Sequence, residues 1–303
     1  MNRRGASCPA ADLAAVRATL RCATTAQWDS GALRTVWRQV HESWLVAKAA
    51  EIGVVPGSGF AVVATGSLGR RELLPHSDLD LLLVHDDMPP EAVGRTAELL
   101  WYPLWDANVR LDHSVRTIPQ ALQVAEADIL AALAMLDARH IAGDDRLSAG
   151  LIAGVRQQWR QGIGARYGEL VDVTHARWQR SGAIAGSAEP DLKGGSGGLR
   201  DVQLLDALAV AHASGSSRPH IGGGALRVAY RTVLDVRTEL HRACGRGHDL
   251  LSAQYADEIG AALGLGDRYD LAARLLDAAQ TISRRVEAEF NTLACREKFA
   301  VRT

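Results

Sequence analysis

Asp78 and Asp80 stand one residue apart in "HSDLDLLLVH", where the chain turns from polar to apolar. In an extended strand alternate side chains leave the same face, so both carboxylates point to one side. Two carboxylates a few ångströms apart repel, and burying them unpaired is costly. A divalent cation removes that cost. Mg²⁺ takes oxygen ligands and is commonly held by one or two carboxylates together with substrate phosphates. In two-metal sites the ions serve the attacking and the leaving oxygen. Just upstream, "FAVVATGS" ends in Gly66 and Ser67. Gly66 lets the backbone come close to a phosphate, Ser67 adds a hydroxyl, and "LGRRE", read as the start of a helix, adds backbone N–H groups. Gly69 is expected to act like Gly66. Arg70 and Arg71 are placed for charge-assisted contacts to a triphosphate. Asp112 is the candidate third acid, on the polar face of "NVRLDHSV", where a carboxylate needs water or a metal.

These residues need a small sheet to position them. "FAVVAT" (60–65) is β-branched and reads as a strand. "LDLLLVH" (79–85) is apolar on both faces, as a central strand would be. "NVRLDHSVRT" (108–117) alternates with period two and makes a third strand. Helices flank them. Residues 11–52 read as helical, with Leu33, Val36, Trp37, Val40, Trp44 and Leu45 at three- and four-residue spacings before Gly53 and Pro56-Gly57 stop the run. Residues 91–107 form another helix, and from Thr117, with Pro119 suited to a first turn, almost everything reads helical. The exception is "RSGAIAGSAEPDLKGGSGGLRD" (180–201), rich in glycine and serine and therefore loop. The chain thus divides into N-terminal helices (1–52) packed on an α/β unit (53–117), then a helical domain (118–303).

Formal net charge is -1, from 34 basic and 35 acidic residues, which argues against a nucleic-acid coat or a polybasic membrane patch. No window approaches ~18 uninterrupted apolar residues, so no membrane span is expected. Cys8, Cys22, Cys244 and Cys295 form no C-x-x-C pair and read as reduced thiols in a cytoplasmic protein. The N-terminal "MNRRGASCPAADLAAV" lacks the apolar stretch of a signal peptide. "GHD" (247–249), with His241 nearby, invites a hydrolytic metal site, but the His and Asp partners such a site needs are not evident. His76 and His113 read as local hydrogen-bonders, and the tryptophans mostly as core.

A glycine-serine pair, a spacer, and Asp-x-Asp on an apolar strand resembles the DNA polymerase beta nucleotidyltransferase superfamily. The fuller string "GSLGRRELLPHSDLDLLLV" is similar to the protein-PII uridylyltransferase family of nitrogen signalling, as are "LWDANVRLDHSVRT" (104–117), "DLKGGSGGLRDVQLL" (191–205) and "RGHDLLSAQYADEIGAALG" (246–264). The resemblance implies an α+β fold: a polymerase beta-like domain with a small mixed sheet, followed by an all-helical domain. It implies a Mg²⁺-dependent enzyme that moves UMP from UTP to a tyrosine of the PII protein and releases pyrophosphate. ATP as donor, another acceptor, and a nucleotide-binding fragment without turnover are the alternatives. Gly66 and Ser67 would grip the triphosphate, and Asp78 and Asp80 would hold the metal. Asp112 would orient or deprotonate the tyrosine hydroxyl; relatives often carry that acid two positions earlier, where this chain has Arg110. Lys193 and Arg200 would contact phosphate or partner. Full-length members continue into a phosphohydrolase domain and glutamine-sensing domains, which implies that this chain attaches a nucleotide and does not remove it.

Overall fold

The computed structural model describes residues 13–21, 28–212 and 224–300, with 293–300 as backbone only. The readings made for the N-terminus to residue 12, residues 22–27 and 213–223, and the thiols of Cys8, Cys22 and Cys295 lie outside the described residues. The fold is α+β: one small mixed sheet among many helices. The chain forms two compact units, divided in sequence between Gln158 and Trp159.

The first unit opens with α1 (Leu13–Arg21) and α2 (Ser30–Glu51). Asp29 caps α2, its carboxylate accepting from the Ala32 N–H at 2.7 Å. Of the predicted stripe, Leu33, Trp37, Trp44 and Leu45 are buried and Val36 and Val40 half-buried; Ala49 extends it. Strand β1 (Phe60–Ala64), a one-turn helix α3 (Gly66–Gly69), strand β2 (Leu79–His85), helix α4 (Pro90–Asp106) and strand β3 (Leu111–Arg116) follow. Then come α5 (Ile118–Ala127), α6 (Ile129–Leu136), β4 (Arg139–Gly143) and α7 (Asp145–Gly162), whose last residues fall past the division. Thr117 and Gln120 make a reciprocal capping box at the start of α5.

The sheet order is β3-β2-β1-β4. β1 runs antiparallel to β2 and β4, and β2 runs parallel to β3. β2 is therefore internal, as its two-sided apolar run requires: Leu79, Leu81 and Leu83 belong to the main core cluster, and Leu82 and Val84 on the other face are buried too. Sequence periodicity assigns no strand after residue 117, yet β4 forms and pairs with β1. That pairing keeps residues 118–158 with the sheet rather than with the helices that follow. Gly143 makes it possible: its φ is +89°, and a Cβ there would stand 2.3 Å from the Phe60 carbonyl oxygen.

The second unit is helical: α8 (Tyr167–Ser181), α9 (Leu199–His212), α10 (Ala225–Cys244), α11 (Ala253–Ala262) and α12 (Arg268–Ala300). The glycine-rich stretch between α8 and α9 is irregular, as expected, but tightly packed. A Cβ on Gly197 would lie 2.7 Å from the Ala279 carbonyl oxygen of α12, and one on Gly194 would lie 2.6 Å from an Asp191 carboxylate oxygen. Asp201, fully buried, anchors the stretch: it accepts from the Gly197 N–H at 2.7 Å, from the Trp178 indole at 3.0 Å, and from the Arg177 guanidinium. Among the described residues no helix is long and apolar enough to cross a membrane.

Candidate active site

The parallel pairing of β2 with β3 sets Asp80 directly opposite Asp112. Paired residues of neighbouring strands put their side chains on the same face, so these two carboxylates are neighbours. Asp78, one pleat pair before Asp80, shares that side and lies just outside β2. The Leu79 N–H donates to the Arg110 carbonyl at 2.9 Å, which carries the strand alignment to the position opposite Asp78. Asp78 and Asp112 are exposed; Asp80 is half-buried.

Gly66 stands against Asp80. The Thr65 N–H donates to the Asp80 carbonyl at 2.9 Å, bringing the end of β1 alongside the acid. At Gly66 φ is +54°, and a Cβ there would lie 2.0 Å from Asp80 Oδ2. Only glycine fits both the conformation and the contact. The helical turn it opens is shorter than "LGRRE" implies. It ends at Gly69, and Arg71 already has φ +66°. The N–H groups of Gly66, Ser67 and Leu68 are first-turn donors, for which a helix provides no internal acceptor.

Gly69 and Arg70 have visible structural partners. Gly69 is buried, and a Cβ on it would lie 2.3 Å from the Asp137 carbonyl oxygen. Arg70 pairs with Glu72 at 3.0 Å and with the Asp137 carboxylate. Sequence reasoning missed Arg139. Its guanidinium donates to the carbonyls of Leu68 at 2.7 Å and Gly69 at 3.2 Å, and pairs with Glu42 of α2. Glu42 in turn pairs with Arg38 at 2.6 Å. Burial pulls the Arg139 pKa below its usual value, against the raising effect of Glu42. The carboxyl end of α3 is thus held by a cation with its own counter-ion. No local signal marks Arg139, because its partners lie 70, 71 and 97 residues earlier in the chain.

His113 packs its ring on Trp101 and Trp105 of α4, with centroids 5.3 and 5.4 Å away. The His76 carbonyl accepts from Arg110. Lys193 and Arg200 belong to the second unit. The Lys193 charge acts on Asp249, which also pairs with Arg237 at 2.7 Å. Burial pushes the Asp249 pKa upward, but the neighbouring His241, 3.8 Å away, and the Arg237 and Lys193 charges hold it well below the usual carboxylate range. Asp249 thus has a clear structural duty. Arg200 is exposed in the first turn of α9.

The donor set at Asp78, Asp80 and Asp112 suits a hard cation: three carboxylates with neither thiol nor imidazole among them. Gly66 clears the space beside Asp80 that a side chain would fill. Asp78 is turned onto Arg110, Oδ1 to Nε 2.7 Å. Among the described residues, no three His, Cys, Asp or Glu side chains are grouped so as to hold a metal ion.

A mixed sheet with a glycine-opened turn beside acids on two adjacent strands is a nucleotidyltransferase arrangement, and the sequence comparisons agree. Residues 14–102, which include Gly66, Ser67, Asp78 and Asp80, match the DUF294 nucleotidyltransferase family. Residues 166–294, which include the glycine-rich stretch, match the GlnD PII-uridylyltransferase family. The chain is 58% identical over 290 residues to the bifunctional uridylyltransferase/uridylyl-removing enzyme of Mycobacterium tuberculosis (strain CDC 1551 / Oshkosh), a match that covers 95% of this chain and 36% of that protein. It is 44% identical over 225 residues to the enzyme of the same name from Corynebacterium glutamicum, covering 74% of this chain and 31% of the relative. For the one from Phenylobacterium zucineum the figures are 32% over 224 residues, 71% and 24%. The chain is related to the family of bifunctional uridylyltransferase/uridylyl-removing enzymes and spans about a third of the length of these relatives.

Proposed function

We propose that the chain carries the nucleotidyl-transfer half of that family's chemistry: transfer of UMP from UTP to a tyrosine hydroxyl of the PII protein, with release of pyrophosphate. The observation that carries this reading is the register of Asp80 on Asp112 with the Gly66 backbone against the Asp80 carboxylate. It brings a glycine-opened turn and a carboxylate pair into one place, which supports a site for phosphoryl-group chemistry.

Ser67 Oγ and the N–H groups of Gly66 to Leu68 bind the triphosphate. Gly69 and Arg70 shape that turn, and in this reading Arg70 serves the nucleotide through the turn. Asp78, Asp80 and Asp112 would hold Mg²⁺, which when bound supplies charge neutralisation for the carboxylates and phosphates. The tyrosine oxygen forms its bond to the α-phosphorus as the bond to the β-phosphate oxygen breaks; Asp112 orients the hydroxyl and takes its proton. Pyrophosphate carries away the electron pair of the broken bond. Lys193 and Arg200 are the second unit's candidates for contact with phosphate or with PII. The reaction belongs in the cytoplasm, where UTP and PII-type signalling proteins meet.

The test is to incubate the purified chain and PII with Mg²⁺ and either UTP or ATP, and to weigh the intact PII by mass spectrometry. A gain of one UMP per subunit, absent with Asp80→Asn, supports the reading. A gain of AMP moves the donor to ATP. Nucleotide binding without any gain in mass, from a folded chain, leaves a binding module and overturns it.

A further inference from the structure

Arg110 lies where β3 begins, and its backbone is fixed there by the Leu79 N–H at 2.9 Å. Its guanidinium has two partners on the turn that leads into β2: Nε contacts Asp78 Oδ1 at 2.7 Å, and another nitrogen donates to the His76 carbonyl. His76 sits at φ +64°, so its carbonyl is presented from a left-handed turn. The site therefore contains three acids and one cation, and the cation holds the acid at the outer end. Asp80 and Asp112, by contrast, are set side by side by the sheet itself.

We propose that Arg110 is the built-in counter-ion of Asp78 and competes with the divalent cation for that carboxylate. This rests on the metal-binding reading of the three acids. Without metal, Arg110 neutralises Asp78 and holds its carboxylate; the metal must displace the guanidinium before Asp78 can join Asp80 and Asp112. Arg110 so makes the free site a poor binder of bare metal ions. A metal that arrives with a triphosphate is favoured, because the phosphate charges offer the released guanidinium a new partner. Arg110 is a positioning residue acting through Asp78.

The size of the effect is bounded by exposure. Both side chains are more than half exposed, 61% and 56%, so the pair is screened by water. An exposed ion pair of this kind changes an equilibrium by about two- to threefold, and repulsion between a nearby guanidinium and a divalent ion adds a comparable factor. Removing the charge should therefore tighten nucleotide-free metal binding by roughly three- to tenfold.

The test measures Mn²⁺ binding to the whole chain without nucleotide, by electron paramagnetic resonance of the free ion. Arg110→Gln keeps a donor for the His76 carbonyl but loses the charge; Arg110→Lys keeps the charge. The glutamine variant is expected to bind Mn²⁺ about three- to tenfold more tightly and the lysine variant within about twofold of the parent. Thermal melts of both variants exclude a folding defect as the cause. Equal affinity in the parent and Arg110→Gln, with Asp80→Asn abolishing binding, would overturn the role of Arg110 and leave the metal site standing. Binding that is indifferent to Asp80→Asn, or no binding at all, would overturn the metal site and the inference with it.

Discussion

Gly66→Ala is the sharpest perturbation the site offers, because two separate costs fall on different measurements. The first is backbone strain. An L-residue in the left-handed region costs about 1–2 kcal/mol, and Gly66 has φ +54°. The second is displacement. The new methyl would stand 2.0 Å from Asp80 Oδ2 and 2.9 Å from its Cγ, where ordinary contact begins near 3.4 Å. The carboxylate must then retreat by about 1.4 Å, the difference between 3.4 and 2.0 Å. A misplacement of about 1 Å at a reacting centre costs on the order of 10²-fold in rate. The variant should therefore stay folded, lose about 1–3 kcal/mol, and lose at least about 10²-fold in nucleotidyl transfer. Thermal melting and steady-state transfer to PII, read by intact mass, are the two assays. Gly57→Ala is the control: φ there is +75°, but nothing lies within 4 Å of the added Cβ. It should show the strain in its melting temperature and leave transfer unchanged. A Gly66→Ala protein with kcat within about threefold of the parent would refute the assignment of Asp80 to the reacting centre.

Three further outcomes are expected. Arg139→Met removes both donors to the α3 carbonyls, so KM for UTP should rise by about tenfold with kcat changed less than threefold, and Arg139→Lys should recover part of the loss; steady-state kinetics with UTP varied gives the split. Asp201→Asn puts an amide where fully buried Asp201 accepts from Gly197, Trp178 and Arg177. Leaving that guanidinium without its charge partner should cost about 3–5 kcal/mol, seen as a fall of roughly 10 °C in the melting of the second unit. Asp249 has a depressed folded pKa, so its contribution is fully present above the unfolded value of about 4 and is lost as pH falls toward the folded one. The stability gap between the parent and Asp249→Asn should accordingly be flat from about pH 5 to 7 and narrow below about pH 4; acid titrations followed by circular dichroism check it.

The first three strands and the acids were legible because each carried a local signal. β2 announced itself by apolar residues on both faces, and the short spacing of Asp78 and Asp80 forced them to one side of it. Asp112 could be proposed from period two alone, but only the register pairs it with Asp80. Register is a property of two strands, and no single stretch of sequence contains it. The strand at Arg139–Gly143 was hidden for a related reason. "RHIAG" is short, follows a good helix, and is held by a partner far earlier in the chain, so neither length nor period separates it from helical sequence.

The glycine-rich stretch shows how composition can mislead. Gly, Ser and a few charges are what a flexible linker contains, but here Gly194, Gly195, Gly197 and Gly198 are glycine because neighbouring backbone and the half-buried Asp191 leave no room for side chains. Absence of a side chain carries two opposite meanings, freedom and crowding, and only the surrounding contacts tell them apart. Both glycines of the proposed phosphate turn are crowded, but by different groups. Gly69 is crowded by the Asp137 backbone and belongs to the packing of the turn, whereas Gly66 is crowded by a carboxylate. A backbone that yields its Cβ to an acid side chain leaves that acid pinned at one place beside first-turn N–H groups. Packing alone would be as well served by an apolar partner, so the close approach of Gly66 and Asp80 is the strongest reason to read this turn as a reaction site.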